Sequence, residues 1–248
     1  MHDLYLGLKF ALSYFSIIPI SFESGDDLSD RRVLGYMLLS FPLVGAILGS
    51  ISIAIYALLE SLGWLGAVVG AISYMISYGF LHTEAVADVA DAIYASHSDK
   101  DPYIIIKEPT VGAMGVLWSI VCVVLKIASM IFLLLHGLYT PLIVILVVSR
   151  YTLLVLFYTK EFRSSFATTL KESFTTRDLI LSSLLYAVVI YLLIGIDIVM
   201  ILPIGLIVGY SIATTIGSKI GFINGDVLGA TLEATEIILA ILVAILWL

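Results

Sequence analysis

Three carboxylates follow one another at a spacing that fits one face of a helix. Glu84, Asp88 and Asp91 stand at positions i, i+4 and i+7, within about 60° of arc. Like charges at this spacing repel, and residues 80–99 contain no Lys or Arg to compensate them. Clustered carboxylate oxygens suit Mg²⁺, Mn²⁺ or Ca²⁺. The pattern predicts a metal site, with a solvated acidic face and a salt-bridged structural site as alternatives.

A second acidic group opens the last apolar segment of the chain. Asp226 follows Asn-Gly, and Glu233 and Glu236 come seven and ten residues later. A lone Asp there is typical of a helix N-cap, whereas Glu233 lies roughly 10 Å along a helix that rises 1.5 Å per residue. An ionisable group at that depth usually faces a functional cavity. This group alone leaves both an enzyme site and a proton or ion pathway open.

Candidate phosphate-binding cations stand on the same predicted side of the chain as the carboxylates. Phosphoryl transfer requires carboxylates that hold a metal and cations that bind phosphate oxygens, because its catalysis is mainly positioning and charge neutralisation. We find no Walker loop, dinucleotide fingerprint, HExxH or nucleophile elbow. His82 joins the candidates because it precedes Glu84 by two residues. The cations, each of which has an ordinary topological role as its alternative, are Lys107, Lys160, Arg163 and Lys219.

These residues are carried by a very apolar chain. Its 248 residues are 61% hydrophobic and 12% charged, with a mean hydropathy of +1.13, whereas soluble domains carry about 25% charged residues. The formal net charge of −7 excludes nucleic acid as a partner, since binding it needs a basic face. The sequence therefore predicts an all-α, polytopic integral membrane bundle, with one membrane domain over residues 1–248 and the lipid bilayer around it.

The apolar residues fall into eight segments near the length of about 20 residues that crosses a bilayer. The number of transmembrane helices is seven if the first segment lies at the membrane interface instead of crossing. The segments are residues 4–20, 34–59, 62–81, 113–135, 141–158, 179–194, 198–216 and 227–248.

The charges of the connecting segments predict an orientation. If all eight segments cross, the connectors 21–33, 82–112, 159–178 and 217–226 share one side and carry nine Lys or Arg residues, while the opposite turns carry none. By the positive-inside rule these four connectors are cytoplasmic. We therefore expect a multi-pass protein of the cell inner membrane whose active site faces the cytoplasm.

Longer stretches of the sequence resemble a known family, the cobalamin synthases (adenosylcobinamide-GDP ribazoletransferases), which are integral membrane enzymes. Residues 79–91 are similar to the family's most distinctive stretch, G-G-x-H-x-D-G-L-A-D-x-x-D. Residues 225–236 match its C-terminal signature, and shorter similarities lie at 10–20, 41–45 and 111–115. The chain keeps the acidic core and departs at four positions: Ile17 and Thr110 replace Arg, Glu84 replaces Asp and Ala85 replaces Gly.

The resemblance implies a Mg²⁺-dependent phosphotransferase of the nucleotide-loop pathway. Its substrates would be adenosylcobinamide-GDP and α-ribazole or α-ribazole 5′-phosphate, and its products GMP and adenosylcobalamin or adenosylcobalamin 5′-phosphate. The implied metal ligands, which are also catalytic, are Glu84, Asp88, Asp91 and Asp226, and one carboxylate or His82 would accept the hydroxyl proton. The implied substrate or phosphate ligands are Lys107, Lys160, Arg163, Lys219 and Glu233. The preferred base, the number of metal ions and the oligomeric state, homo-oligomer included, stay open.

Two alternatives belong to other classes of membrane protein. A CDP-alcohol phosphotransferase also uses clustered carboxylates, but its D-G-x-x-A-R signature is missing here. An ion-coupled transporter would use Glu233 and Glu236 as its ion site and typically shows paired halves, which we do not find. If both acidic groups form one site, Asp88 and Asp226 lie within about 10 Å of each other, a separation that bridging metals and a diphosphate span, around a cavity open to the cytoplasm.

Overall fold

A computed structural model of the protein describes residues 2–95 and 100–247. Within these ranges the regular structure is helical and contains no strand, which confirms the predicted fold class. The α-helices are α1 (His2–Phe15), α2 (Arg31–Leu58), α3 (Trp64–Ser77), α4 (Leu81–Ala95), α5 (Pro102–Ile105), α6 (Ala113–Leu135), α7 (Tyr139–Thr159), α8 (Ser165–Ser173), α9 (Thr176–Ile194), α10 (Ile198–Ile220) and α11 (Gly225–Trp247).

Six of these helices are long and apolar enough to cross a membrane, namely α2, α6, α7, α9, α10 and α11. The bent pair of α3 and α4 makes a seventh candidate if it is one span. The described residues therefore contain six or seven candidate spans, and seven is the number expected if the first segment lies at the interface. That segment does not supply an eighth span. Helix α1 has 14 residues, about 21 Å at 1.5 Å per residue, which is too short for the ~30 Å hydrocarbon core.

The third predicted span, 62–81, breaks near its end instead of running through the membrane as one helix. Helices α3 and α4 meet at an angle of 76°. The backbone turns at Gly79 and Phe80, with φ of 63° and 58°, a left-handed region that residues other than glycine rarely adopt. The acidic stretch therefore belongs to the second half of a bent pair. Residues 96–99 of the predicted connector 82–112 lie outside the described residues.

Helix α7 is the centre of the bundle. Of its most apolar 18 residues, 78% are buried, the largest share among the candidate spans, and it contacts α2, α9, α10 and α11. Its neighbours approach closely through glycine: a Cβ at Gly45 of α2 would lie 2.5 Å from the Leu146 carbonyl oxygen, and one at Gly209 of α10 would lie 2.5 Å from the Thr152 methyl. Small residues at helix interfaces allow this close packing in lipid.

Helix α4 packs against α6 and α11, and this contact brings the two acidic stretches together. A Cβ at Gly229 of α11 would lie 2.7 Å from the Ala85 methyl of α4. The Thr83 hydroxyl donates to Glu233 over 3.1 Å. Thr83 is near Glu233 and Ala85 is near Gly229, so α4 and α11 run antiparallel. The start of α11 therefore lies beside the middle of α4.

Candidate active site

The acidic cluster comprises Glu84 and Asp88 of α4 and Asp226 at the start of α11. Asp88 is half-buried and is repelled by the charges of Asp226, Glu84 and Asp91, in that order of strength. Asp226 is also partly buried and is repelled by Glu84. The predicted distance of about 10 Å or less between the carboxylates of Asp88 and Asp226 stays a prediction. Their mutual repulsion supports one site formed from both acidic stretches.

The acidic cluster lacks a cationic partner within residues 2–95 and 100–247. Ion pairs in these ranges involve other acidic residues. Asp226 accepts a hydrogen bond from the Asn224 side-chain amide at 2.7 Å. Partly buried carboxylates that repel one another without a cation are electrostatically unfavourable. The acidic cluster is therefore the candidate place for a bound cation.

Asp91 has a different environment at the N-terminus of α6. Its two carboxylate oxygens accept from the Gly112 amide at 2.6 Å and from the Gly115 amide at 2.8 Å. A Cβ at either glycine would collide with this carboxylate. The negative charge also lies favourably at the positive end of the α6 dipole. Asp91 thus joins the end of α4 to α6.

The predicted four-carboxylate metal site is not preassembled. Among the described residues, no three His, Cys, Asp or Glu side chains are placed to hold one metal ion together. Mg²⁺ does not require such a set, because it commonly binds through one or two carboxylates, waters and substrate phosphates. The oxygens of Asp88, Glu84 and Asp226, which have no cationic partner among the described residues, fit that mode, whereas those of Asp91 are already bonded to amides. The four-ligand set stays a prediction.

A cavity of about 220 Å³ adjoins Asp226. We call it the aromatic cavity, and it lies among α1, α2, α4, α7, α8 and the start of α11. Burial, followed by the nearby charge of Asp226, raises the pKa of Tyr14 in its wall. The aromatic side chains of the wall are Tyr14, Phe15, Phe41, Phe157 and Phe166, together with the imidazole of His82.

The predicted phosphate-binding cations fall into three places. Arg163 and Lys107 lie over the Tyr103 ring, at 3.7 and 3.9 Å from its centroid, and a hydrogen bond from Lys107 lowers the pKa of Tyr103. The Arg163 backbone amide donates to the Ile223 carbonyl at 2.8 Å, which holds this arginine near the start of α11. Lys160 instead donates to Thr214 at 2.9 Å.

Lys219 lines a second and larger cavity, of about 580 Å³, between α4, α6, α10 and α11. The walls of this apolar groove are mainly Val, Ile, Leu and Ala, with Trp118 and Cys122 on α6. The groove and the aromatic cavity share no lining residue, because His82 and Ala85 near the start of α4 line the cavity and Val86 and Ala90 further along line the groove. Arg163 lines neither of them.

Glu233 has a different environment from the one its predicted substrate-binding role requires. Lys126 of α6 lies 2.9 Å from Glu233 and also contacts Glu236, and Arg150 of α7 lies 2.6 Å from Glu236. All four side chains are at most 2% exposed. We call Lys126, Arg150, Glu233 and Glu236 the buried ion network. The expectation that a shared metal and diphosphate compensate Glu233 is replaced by a pairing within the protein.

Tyrosines complete the buried ion network and connect it to the bend. The Tyr74 hydroxyl donates to Glu236 at 3.0 Å, and the Tyr78 hydroxyl donates to Glu233 at 2.6 Å. Tyr78 and Thr83 bond the same oxygen of Glu233 from the two sides of the bend between α3 and α4. Glu233 therefore fixes the direction in which α4 leaves α3. This pairing also removes the need for a coupling ion at Glu233 and Glu236.

Sequence reasoning missed Lys126 and Arg150. The signal was present, because each is a lone cation inside an apolar segment, and an ionisable residue in a span usually has a partner. Only the cations in connectors were considered as partners for the carboxylates. Two cations and two carboxylates at mid-span would have suggested the network.

Comparison with known proteins covers nearly the whole chain. A family model described as cobalamin-5-phosphate synthase matches residues 7–244. An adenosylcobinamide-GDP ribazoletransferase of Desulforamulus reducens is 32% identical over 127 residues, which are 50% of this chain and 49% of that protein. The protein of the same description from Chlorobium phaeovibrioides is 31% identical over 134 residues, 53% of this chain and 51% of that protein.

The similarity to individual relatives is partial. An adenosylcobinamide-GDP ribazoletransferase of Picrophilus torridus is 32% identical over 123 residues, which are 49% of this chain and 47% of that protein. The chain spans about half the length of the curated relatives it matches. No solved structure matches the chain.

Proposed function

The chain belongs to the cobalamin-5-phosphate synthase family, and on this premise we propose that it is an adenosylcobinamide-GDP ribazoletransferase. A ring hydroxyl of the α-ribazole ribose, not its 5′-hydroxyl, attacks the cobinamide-linked phosphorus of adenosylcobinamide-GDP. A new phosphorus–oxygen bond forms, the bond to the bridging oxygen of the diphosphate breaks, and GMP leaves with that oxygen. With α-ribazole 5′-phosphate as the nucleoside substrate, the product is adenosylcobalamin 5′-phosphate.

The observation that carries this proposal is the acidic cluster without a cationic partner. Phosphoryl transfer develops negative charge on oxygens, and positioning and charge neutralisation supply most of its catalysis. Bound Mg²⁺ would neutralise the diphosphate and polarise the phosphorus. Asp88, Glu84 and Asp226 are the residues we assign to hold it, because their oxygens are free of cations and lie on two helices that meet.

The remaining residues have roles that follow from their places. A carboxylate of the acidic cluster, or His82 in the adjoining aromatic cavity, accepts the proton that the attacking ribose hydroxyl loses. Arg163 is the favoured phosphate ligand, since the Ile223 carbonyl holds its backbone three residues before Asp226. Asp91 positions α4 through α6. Glu233 positions α4 through the bend.

Product formation tests the proposal directly. Purified protein in lipid nanodiscs is mixed with adenosylcobinamide-GDP, α-ribazole and Mg²⁺, and mass spectrometry follows GMP and adenosylcobalamin. We expect equal amounts of both, and none when EDTA replaces Mg²⁺. GMP without a cobalamin product would mean hydrolysis instead of transfer. The absence of both products, from protein that is folded and inserted, would contradict the proposed activity.

We further propose that the protein lies in the inner membrane and that its site opens to the cytoplasm. The proposal rests on the nine cations of one set of connectors against none in the other. In a Cys122→Ser background, Ser218→Cys should be shielded from an impermeant thiol reagent in intact cells. His136→Cys, in an opposite turn, is the matched control and should be labelled. The reverse labelling pattern would overturn the orientation.

A further inference from the structure

The apolar groove opens sideways from the bundle. It lies beside α6 and α10, which are both long and apolar enough to cross a membrane, and only 22% of the most apolar 18 residues of each are buried. In its α6 wall, Trp118, Val121 and Leu125 are 47, 46 and 43% exposed. In a membrane this face of α6 meets the hydrocarbon core. The groove is therefore open to molecules of the bilayer.

Lys219 places a positive charge at one end of the groove. It is the last residue but one of α10, whose 23 residues extend roughly 35 Å at 1.5 Å per residue. A helix of this length crosses the ~30 Å hydrocarbon core, so its last turn lies at the membrane surface. Lys219 is exposed and has no ion-pair partner within residues 2–95 and 100–247. Its charge can therefore meet an anionic group at that surface.

The charge and polarity of the groove indicate one class of occupant. Among the described residues that line it, Lys219 is the one charged side chain, and most of the others are Val, Ile, Leu and Ala. We propose that the apolar groove binds an acyl chain of an anionic phospholipid whose head-group phosphate contacts Lys219. Basic pockets between membrane helices bind anionic head groups in this way. This inference goes beyond the proposed transferase activity and does not depend on it.

Two other occupants match the groove less well. Phosphatidylcholine has the same acyl chains, but its own ammonium neutralises its phosphate, so Lys219 gives it little electrostatic advantage. Adenosylcobinamide-GDP would bring many hydrogen-bonding groups, and burying such groups without partners is unfavourable. The wall offers few side chains that could pair with them, namely Lys219, Tyr94, Trp118 and Cys122.

A lipid in the groove would also pack behind the acidic cluster. On α4 the groove is lined by Val86, Val89, Ala90 and Ile93, whose spacing places them on one face of the helix. At about 100° per residue, this face lies roughly opposite the face that carries the acidic residues of α4. The bound lipid therefore supports α4 from the side away from the acidic cluster, and turnover should depend on it.

Quenching of Trp118 fluorescence tests whether the lipid occupies the groove. The chain has three tryptophans, and Trp64→Phe with Trp247→Phe leaves Trp118 alone. The protein is placed in phosphatidylcholine nanodiscs that contain a minor fraction of lipid with brominated acyl chains, which quench tryptophan on contact. Brominated phosphatidylglycerol should bind about fivefold more tightly than brominated phosphatidylcholine, which corresponds to about 1 kcal/mol for one lysine near anionic head groups. Lys219→Gln should abolish this preference.

A matched control and a measurement of turnover complete the experiment. Arg177 is an exposed cation at the start of α9, a helix that does not line the groove. Arg177→Gln should keep the preference for phosphatidylglycerol. Unbrominated phosphatidylglycerol, added to phosphatidylcholine nanodiscs, should raise the turnover of the wild type, and Lys219→Gln should lose this response.

The possible results separate the lipid site from its role and from the proposed function. Equal quenching of the wild type by the two brominated lipids, or a preference that Lys219→Gln retains, would overturn the lipid site. Relief of the quenching by adenosylcobinamide-GDP would place the substrate in the groove and would overturn it as well. Turnover that is the same with and without phosphatidylglycerol would overturn the support of α4. Quenching requires no turnover, so a failure of the proposed transferase activity is seen separately.

Discussion

The acidic cluster and the buried ion network both place carboxylates in an apolar bundle, but they balance those charges differently. In the network, Glu233 and Glu236 lie against Lys126 and Arg150 with tyrosine hydroxyls completing their hydrogen bonds. In the cluster, the charged groups that act on Asp88 are Asp226, Glu84 and Asp91, which are all negative. One region is therefore complete as folded, and the other is where we propose that a cation from solution binds.

This difference distinguishes carboxylates with a structural role from candidate catalytic ones. The presence of a carboxylate in an apolar segment does not by itself make that distinction. A buried ion pair has its desolvation cost offset only by partners with good geometry, and the network has them. A cluster without partners persists because the surrounding contacts enforce it, which is typical of functional sites. Replacing charges in the two regions should therefore have opposite consequences for stability.

Breaking the buried ion network should have the largest effect. Arg150→Met leaves Glu236 with Lys126 as its remaining cation, in a place where the side chains are almost fully buried. Removing one partner of such a pair costs about 3–5 kcal/mol. We expect the thermal unfolding midpoint in nanodiscs to fall strongly, and turnover to fall with the folded fraction. An unfolding midpoint equal to that of the wild type would mean that the network does not hold the bundle.

Neutralising the acidic cluster should remove activity without destabilising the protein. Asp88→Asn relieves repulsion from Asp226 and Glu84, so the unfolding midpoint should stay or rise. Turnover should fall more than about 100-fold, beyond the usual loss when a residue supporting a metal ligand is removed. Glu108→Gln, an exposed carboxylate in a connector, is the control and should keep full turnover. A destabilised Asp88→Asn with normal turnover would reverse our assignment of the two regions.

The general fold was predictable because it depends on local pattern. Apolar runs of about 20 residues locate α2, α6, α7, α9, α10 and α11 to within a few residues. The proximity of the two acidic stretches was also predictable, because each lies at the end of a segment on the same side. The bend at Gly79 and Phe80 was not, because nothing in the local sequence distinguishes a broken span from a complete one.

The parts of the site that the sequence did not reveal depend on contacts between distant residues. Arg150 reaches Glu236 across 86 positions of the chain, and Tyr78 reaches Glu233 across 155. The walls of the aromatic cavity likewise come from six separate helices. The sequence identified Glu233 as unusual by its depth, but only the packing of α6 against α11 identified Lys126 as its partner.

A double-mutant cycle that removes both Lys126 and Glu233 measures a smaller effect within the buried ion network. Lys126→Met and Glu233→Gln should each destabilise the protein, whereas the double variant should lose less than the sum of the two. The expected coupling is about 0.5–3 kcal/mol, as for residues in direct contact. The unfolding midpoints of the four proteins measure it. Strict additivity would show that the 2.9 Å contact contributes no interaction energy.

Binding of a divalent cation tests the central contrast most directly. Mn²⁺ replaces Mg²⁺ as a paramagnetic probe, and electron paramagnetic resonance counts the ions bound by the protein in nanodiscs without substrate. We predict that the wild type binds Mn²⁺, that Asp88→Asn and Asp226→Asn weaken this binding at least about tenfold, and that Glu233→Gln retains it in the folded protein. Equal Mn²⁺ binding by the wild type and Asp88→Asn, or its loss only in Glu233→Gln, would contradict the account.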